Sequence, residues 1–341
     1  MEESTHSLER RSGMRRTDDL SAWRMFLAFA ASGTLTAAAR ALETDPSSVS
    51  RAIAGLERAI GVELIAHSTR PLRLTEAGRL AAKRMTTVLR AHDSLIESLT
   101  DANQALEGRV RLSAAPGFAS RQLTPLLAEF ATLQPGIRVE ILSGLSVGDV
   151  AKGLCDVATL TGEPSGAGLV WMSRGRNVYL PVASPEYVSR HGSPMHPRDL
   201  KRHAGYVYNG PVRPETRELR RGGVTEPVAF ASGIRSTDIL AIRAALLSGL
   251  GVAVDMPLVQ IVEDLEAGRL VPILPGWFRP PVECFVATNR DAWHARRVRI
   301  FLEWYARAMQ ARFADYEARV SSIVGLPPDA DHPDRSEIFR S

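Results

Sequence analysis

Cysteine is nearly absent: Cys155 and Cys284 are the only two in 341 residues. They lie far apart, each inside an apolar run (GLCDVATL and VECFVAT), which excludes a disulfide framework and a CxxC metal site. Such usage fits a reducing cytoplasm. No apolar run approaches a signal h-region or a membrane span, so a soluble, cytoplasmic protein without a membrane partner is expected. Enzyme signatures are missing as well. There is no G-x-S-x-G, no P-loop, no H-E-x-x-H and no clustered His/Cys/Asp spacing, and the eight histidines are scattered. Asp255 follows a strand and could act as a general base, but no partner nucleophile is evident. No catalytic residue, cofactor or metal is therefore expected. Nor does one sign of charge dominate. A net charge of +4 and a pI near 9.3 permit nucleic acid without demanding it, so a charge argument must rest on local placement.

What is present begins with 45% hydrophobic residues, enough for two or three domains with real cores. The stretch Thr34 to Gly78 reads as two short helices joined by a tight turn, then a basic hairpin, then the start of a long helix. Asp45 is placed to cap the second helix and Pro46 suits its first position. Val49, Ile53, Leu56 and Ile60 recur at spacings of four and three, giving one apolar face. The other face carries Ser47, Ser48, Ser50, Arg51 and Arg58; small hydroxyls and an arginine near a helix start can approach base edges and phosphates. Thr34 caps the preceding helix, where Thr36 and Arg40 lie beside alanines that allow close packing. VELIAH and LRLT flank a turn, and Arg70 and Arg73 on that hairpin suit a wing along a phosphate backbone. A helical packing unit with solvated arginines is the plainer alternative.

These residues resemble the N-terminal winged helix-turn-helix of LysR-type transcriptional regulators. Many members open the recognition helix with a small residue, a glutamine and a proline; here stand Asp45, Pro46 and Ser47, which keep the cap and change the base-reading side chains. MRRTDDLSAW from Met14 resembles the usual start of such regulators. Residues 1–17 are polar and without periodicity, and read as a disordered tail. Asp18 or Asp19 then caps LSAWRMFLAFAASG, with Leu20, Trp23, Leu27 and Ala30 on one stripe, ended by Gly33. From Thr75 to Leu106 one helical pattern places Met85, Val88, His92, Leu95, Leu99, Ala102 and Leu106 at a 3.5 repeat, closed by Glu107 and Gly108. A helix spanning roughly 45 Å with such a seam pairs with a copy of itself, or else packs on its own chain.

Beyond Gly108 strands alternate with helices. RVRLSAA, IRVEILS and CDVATL are strands separated by SRQLTPLLAEFATLQPG and SVGDVAKGL, a βαβαβ order that implies a parallel sheet. APGF reads as a turn, VAFAS as a strand, STDILAIRAALLSGLG as a helix, and MPLVQIVEDLEAGRL as another. GLCDVAT, YLPVASPEYVSRHG and LLSGLGVAVDMPLVQIVEDLEAGRLVPIL resemble the effector-binding domain of the same family. The resemblance implies a multidomain chain: an all-α winged helix-turn-helix with a long linker helix, then a two-lobed α/β periplasmic-binding-protein-like domain. The expected divisions are 18–75 for the DNA-binding domain, 76–107 for the linker helix and 108–316 for the effector domain. Lobe 1 takes about 108–180 and 284–316, lobe 2 about 181–283, and 317–341 is a disordered tail.

Ligands of such folds bind outside strand C-termini and near helix N-termini. The candidates are Ala115, Pro116, Gly117 and Phe118 after the first strand, Thr161 after the third, and Ser236 and Thr237 opening the second-lobe helix. Asn209 and Asp255 end second-lobe strands facing the same cleft. Each could equally be an ordinary cap or turn. The function implied is a sequence-specific DNA-binding transcription regulator answering to a small organic effector, with an anionic one favoured by the free N–H groups of the helix at Ser236. Its implied partners are double-stranded DNA with an interrupted inverted repeat, a second copy through the linker helix, two such dimers in a tetramer, and RNA polymerase. Its implied place is the cytoplasm, on the nucleoid when bound. A small-molecule module whose winged helix serves protein contacts, and an enzyme with an appended regulatory domain, remain as alternatives.

Overall fold

The computed structural model describes residues 17–67, 71–101, 106–144, 147–165, 168–325 and 338–340. They form two compact units that divide between Glu97 and Ser98.

In the first unit, helix α1 (Leu20–Ser32) is capped by the Asp19 carboxylate, which accepts from the N–H groups of Ser21 and Ala22. It ends on Gly33 at φ +74, a left-handed position that costs glycine nothing. Helix α2 (Leu35–Ala41) starts on Thr34, and α3 (Pro46–Ile60) on Asp45 with Pro46 in its first turn. Val49, Ile53 and Leu56 of α3 close on Phe26 and Phe29 of α1 and on Ala38 and Ala39 of α2, and all seven are buried. The alanines let the two helices of the turn approach, and the larger side chains supply about 1.5–3 kcal/mol each on burial. The hairpin that follows is shorter than VELIAH and LRLT suggest: β1 (Ile65–Ala66) and β2 (Arg73–Leu74) pair over two residues each. Thr75 ends it by turning toward the helix. Its hydroxyl donates to Glu63 O and accepts from Gly78 N–H at the start of α4 (Glu76–Asp101).

The seam expected from Met85 to Leu106 divides. Of its residues, Met85 packs into the core of its own unit beside buried Leu89, His92 is half-buried, and Val88 and Leu95 are exposed, as is Ile96 next to the seam. Leu106 packs into the core of the second unit, and Ala102 and the Leu99 side chain lie outside the described residues. Gly108 does not close the helix. It opens β3 (Gly108–Ser113) at φ +126, with its N–H on Gly136 O.

The second unit contains two sheets. In the first lobe, β3 runs parallel to β4 (Ile137–Leu142) and β5 (Val157–Thr161), as the βαβαβ order requires. With β6 (Leu169–Asn177), β14 (Val282–Asn289) and β15 (Ile338–Arg340) the order is β15-β6-β14-β5-β3-β4, β14 running antiparallel to β5 and to β6. Strand β6 was not expected, because all nine of its residues are buried and no alternation marks it. The chain crosses to the second lobe at Val178. There β7 (Tyr179–Ala183), β8 (Ala204–Tyr208), β11 (Ser232–Ser236), β12 (Val252–Pro257) and β13 (Val271–Pro272) form a sheet in the order β11-β8-β12-β7-β13. A separate hairpin joins β9 (Glu218–Arg221) to β10 (Val224–Pro227). VAFAS is not the strand; Ser232 alone of it enters β11, and Phe230 packs over Gly205, where a Cβ would lie 2.2 Å from its ring.

The helices of this unit differ from expectation at their ends. Pro116–Gly117–Phe118 is the helical start α5 (Pro116–Phe118), not a turn, and leads through a π-helical turn at Ala119–Leu123 into α6 (Thr124–Leu133). Short helices α7 (Val147–Ala151) and α8 (Pro185–His191) connect strands. Helix α9 (Ile239–Leu247) starts at Ile239 because Ser236 still pairs with Tyr208 in the sheet. Helix α10 (Leu258–Glu266) follows β12 directly. The last segment breaks at Ala295 into α11 (Arg290–His294) and α12 (Arg296–Val320). Helix α12 therefore runs past residue 316, held by buried Val320 and by Arg319 on Glu266. Strand β15 (Ile338–Arg340), inside the stretch read as a tail, pairs with the edge of β6. No helix among the described residues is long and apolar enough to cross a membrane.

Candidate nucleic-acid interface and effector cleft

Helix α3 buries one face and leaves Ser47, Ser50 and Arg51 exposed on the other, with Ser48 half-buried at its rim. Its opening is a closed network. The Asp45 carboxylate accepts from the Ser48 N–H at 2.9 Å and from the hydroxyls of Ser47 and Ser48. Those hydroxyl bonds, Ser47 first, hold Asp45 well below the usual carboxylate range. Arg51 folds back along the same face, its Nε donating to Ser47 O at 3.3 Å and its Nη2 to Ser48 Oγ at 3.2 Å. Thr34, Thr36 and Arg40 are exposed on α2, and Arg73 is exposed on the wing; Arg70 lies outside the described residues.

One residue of this unit gave no sequence signal. Glu57 on α3 turns its carboxylate onto the wing, where Oε1 accepts from the N–H groups of Leu64 at 2.7 Å and Ile65 at 2.9 Å. Its Oε2 meets His67 Nε2 at 2.9 Å. The recognition helix thereby fixes the root of the hairpin that carries Arg73. Gly78 tightens the same junction, since a Cβ there would lie 2.0 Å from Leu64 O.

In the second unit the structure brings part of the expected cleft together. Gly117 at the start of α5 lies against the opening of α9; a Cβ on it would meet Ile239 Cγ2 at 2.6 Å and Leu240 Cγ at 3.4 Å. Gln260 Nε2 donates to Gly117 O at 3.2 Å, a second tie between the lobes. Ala115 and Phe118 are half-buried beside it. Asn209 joins the same rim through its N–H on Ser236 O at 3.0 Å. Ser236 and Thr237 do not open α9, however. Asp238 is the cap, its carboxylate accepting from Leu240 N–H at 2.9 Å while Ser236 Oγ accepts from Asp238 N–H at 3.0 Å. The Asp-Ile step in STDILA was a capping signal that the helical period, read from Ser236, overrode.

Asp255 is not a free cleft carboxylate. It is buried, bonded by Arg213 Nη1 and by Thr216 Oγ1 at 2.6 Å, and Arg213 Nη2 also reaches its carbonyl at 3.0 Å. The Arg213 guanidinium lies 4.9 Å from the Tyr179 ring and 4.7 Å from that of Tyr208. Thr161 is half-buried at the end of β5, opposite the fully buried Cys284 in the sheet, whose thiol pKa burial pushes up. Among the described residues no group of three or more His, Cys, Asp or Glu is placed to hold a metal.

Two protein-family models match this chain. Residues 20–79 match the bacterial regulatory helix-turn-helix protein of the lysR family, and residues 103–310 match the LysR substrate binding domain. The chain belongs to the LysR family. It is a helix-turn-helix transcriptional regulator, not an enzyme, and as a member it binds DNA, takes a small-molecule effector and self-associates. Among its relatives is the HTH-type transcriptional regulator YhjC of Escherichia coli, 30% identical over 86% of this chain and 98% of that protein. The HTH-type transcriptional activator AaeR of the same organism is 28% identical over 73% of this chain and 80% of its own length. The full-length structure of the Vibrio cholerae virulence activator AphB is 26% identical, with a TM-score of 0.60, covering 84% of this chain and 98% of that one. The LysR-type regulator CrgA of Neisseria meningitidis is 25% identical at a TM-score of 0.54, over 85% of this chain and 98% of that chain.

Proposed function

We propose that this LysR-family regulator acts in the cytoplasm on an interrupted inverted repeat, two copies placing their α3 helices in successive major grooves. The observation that carries this reading is the exposed face of α3, where Arg51 lies over Ser47 and Ser48 and is left exposed by the described residues of its unit. Thr34, Thr36 and Arg40 on α2 and Arg70 and Arg73 on the wing act as phosphate contacts, and Ser47, Ser48, Ser50 and Arg51 read bases. Pairing runs along the exposed apolar row Val88, Leu95 and Ile96 of α4. Two dimers join through their effector domains, a reading supported by exposed Leu133 and Ile141 beside the edge strand β4.

The effector is a small organic anion, held between Ala115, Pro116, Gly117, Phe118 and Thr161 of the first lobe and Asn209, Ser236 and Thr237 of the second, with Asp255 excluded because Arg213 and Thr216 already occupy its carboxylate. A ligand that touches both lobes favours one arrangement of them, which is what a shift of the DNA-bound state requires. The test is a gel shift on DNA flanking the protein's own gene at two salt concentrations. Specific binding that falls steeply with salt, and that Arg51→Ala weakens by about 1–3 kcal/mol, is expected. Unchanged affinity of Arg51→Ala for that site removes Arg51 from the interface.

A further inference from the structure

The crossing between the lobes carries three buried arginines, and they differ in their partners. Arg176 meets the Glu317 carboxylate through Nε at 3.2 Å and Nη2 at 2.8 Å, and Arg213 meets Asp255. Arg174, only 4% exposed, meets no carboxylate among the described residues. Its Nε donates to Phe285 O at 3.1 Å and its Nη2 to Leu160 O at 3.2 Å, while Nη1 is buried without a partner. The Tyr305 hydroxyl is also buried and unpartnered, and burial pushes its pKa up to about 12 while the Arg174 charge opposes the rise.

The backbone is shaped to put this guanidinium there. Pairing of β6 with β14 jumps from Arg176 opposite Glu283 to Ser173 opposite Phe285, so Arg174 and Gly175 both stand against Cys284. Such a bulge re-aims a side chain and is over-represented beside functional sites. Gly175 takes φ +98, and a Cβ on it would lie 2.9 Å from Phe313, so the bulge needs glycine. The guanidinium thereby lies 5.0 Å from the centre of the Phe118 ring, beside the half-buried end of β5 at Leu160 and Thr161. Both Phe118 and Thr161 belong to the first-lobe side of the effector site proposed above. A buried cation with an unused donor is unstable alone, and an anion is what it lacks.

We infer that Arg174 receives the acid function of the effector, a small organic monocarboxylate that docks its carboxylate on the free Nη1–H and lays its apolar body along Phe118. The inference rests on the effector cleft proposed above and names the chemistry of its first-lobe floor. An acid group would therefore be read by a guanidinium and not by the opening of α9.

The test uses the full chain with acetate, butyrate and benzoate as probes, their neutral alcohols as controls, and inorganic phosphate as a competing anion. Thermal unfolding and calorimetry are expected to show saturable stabilisation by a monocarboxylate and none by its matched alcohol. Arg174→Met is expected to unfold at a higher temperature than the parent without ligand, because it removes an unpaired buried charge. The same variant is expected to lose about tenfold to a hundredfold in carboxylate affinity. Arg174→Lys keeps the charge without the fork and should fall between them. Carboxylate binding unchanged in Arg174→Met, phosphate binding in place of the carboxylates, or no saturable binding of any monocarboxylate by the parent overturns the inference. A gel shift on the same proteins separates this from the regulator reading: Arg174→Met is expected to retain DNA binding, and a parent that binds no DNA fails the regulator reading alone.

Discussion

Removing the Glu57 carboxylate is expected to loosen the wing more than any change on the wing itself. Its Oε1 is the acceptor for two successive N–H groups, Leu64 at 2.7 Å and Ile65 at 2.9 Å, and both residues are only 2% exposed. Water cannot easily take its place. A buried donor left without an acceptor costs about 1–3 kcal/mol, so two of them bracket Glu57→Ala at about 2–6 kcal/mol, with partial relaxation favouring about 3. Glu57→Gln keeps one acceptor oxygen and should lose about half as much. Amide hydrogen exchange on the full chain reads this directly. A loss of about 3 kcal/mol lowers the protection of the Leu64 and Ile65 amides by roughly a hundredfold. Amides in the middle of α3 should change far less. DNA affinity should fall together with protection, because Arg73 sits on the loosened hairpin. Leu64 and Ile65 amides that remain as protected in Glu57→Ala as in the parent would refute the reasoning, since something else would then hold the hairpin.

Three further outcomes are expected. Asp45→Asn retains the cap and removes a negative charge from the DNA-facing end of α3, so non-specific affinity in a gel shift should rise, more at low salt than at high. Gly78→Ala places a Cβ 2.0 Å from Leu64 O, backbone against backbone, and should cost about 1–3 kcal/mol in chemical denaturation of the helix-turn-helix unit. Val88→Glu with Leu95→Glu should convert the assembly to monomers in sedimentation and abolish high-affinity binding; a monomeric variant with parental affinity would remove α4 from the pairing surface.

The helix-turn-helix was legible because its signals are local and agree with one another. Asp45 before Pro46, and Val49, Ile53 and Leu56 at helical spacing, need no knowledge of the rest of the chain, and the structure places all five as read. The parallel core of the first lobe was legible for the same reason, from the alternation of strand and helix patterns. Illegible features depend on contacts distant in sequence. Strand β6 is buried on both faces and so lacks the period that betrays a half-exposed strand. The helical pattern from Ser236 starts three residues before α9 does, because Ser236 belongs to a parallel pairing with Tyr208. The heptad pattern from Met85 to Leu106 suggests one surface, but Met85 is taken by its own unit and Leu106 by the next. In the candidate cleft, Asp255 was visible as a strand-end carboxylate. Its occupation by Arg213 and Thr216, from a loop about 40 residues earlier, was not visible.

Both helix openings that the sequence offers to an anion are already occupied by carboxylates of the chain itself. At α3 the Asp45 carboxylate takes the Ser48 N–H together with the hydroxyls of Ser47 and Ser48. At α9 the Asp238 carboxylate takes the Leu240 N–H, and the Ser236 hydroxyl takes the N–H of Asp238. A helix start attracts an anion through unsatisfied N–H groups and the positive end of its dipole, and a fixed carboxylate at the cap spends the first and offsets the second. DNA phosphate at one opening and an acidic effector at the other would each face a like charge. On the readings proposed above, negative ligands are then received by guanidinium groups: DNA phosphate by Arg40 and Arg73, exposed in the first unit, and the acidic effector by Arg174 in the second. Of these, Arg174 alone is both buried and short of an acceptor, so it is the one whose charge the fold leaves for a ligand to complete.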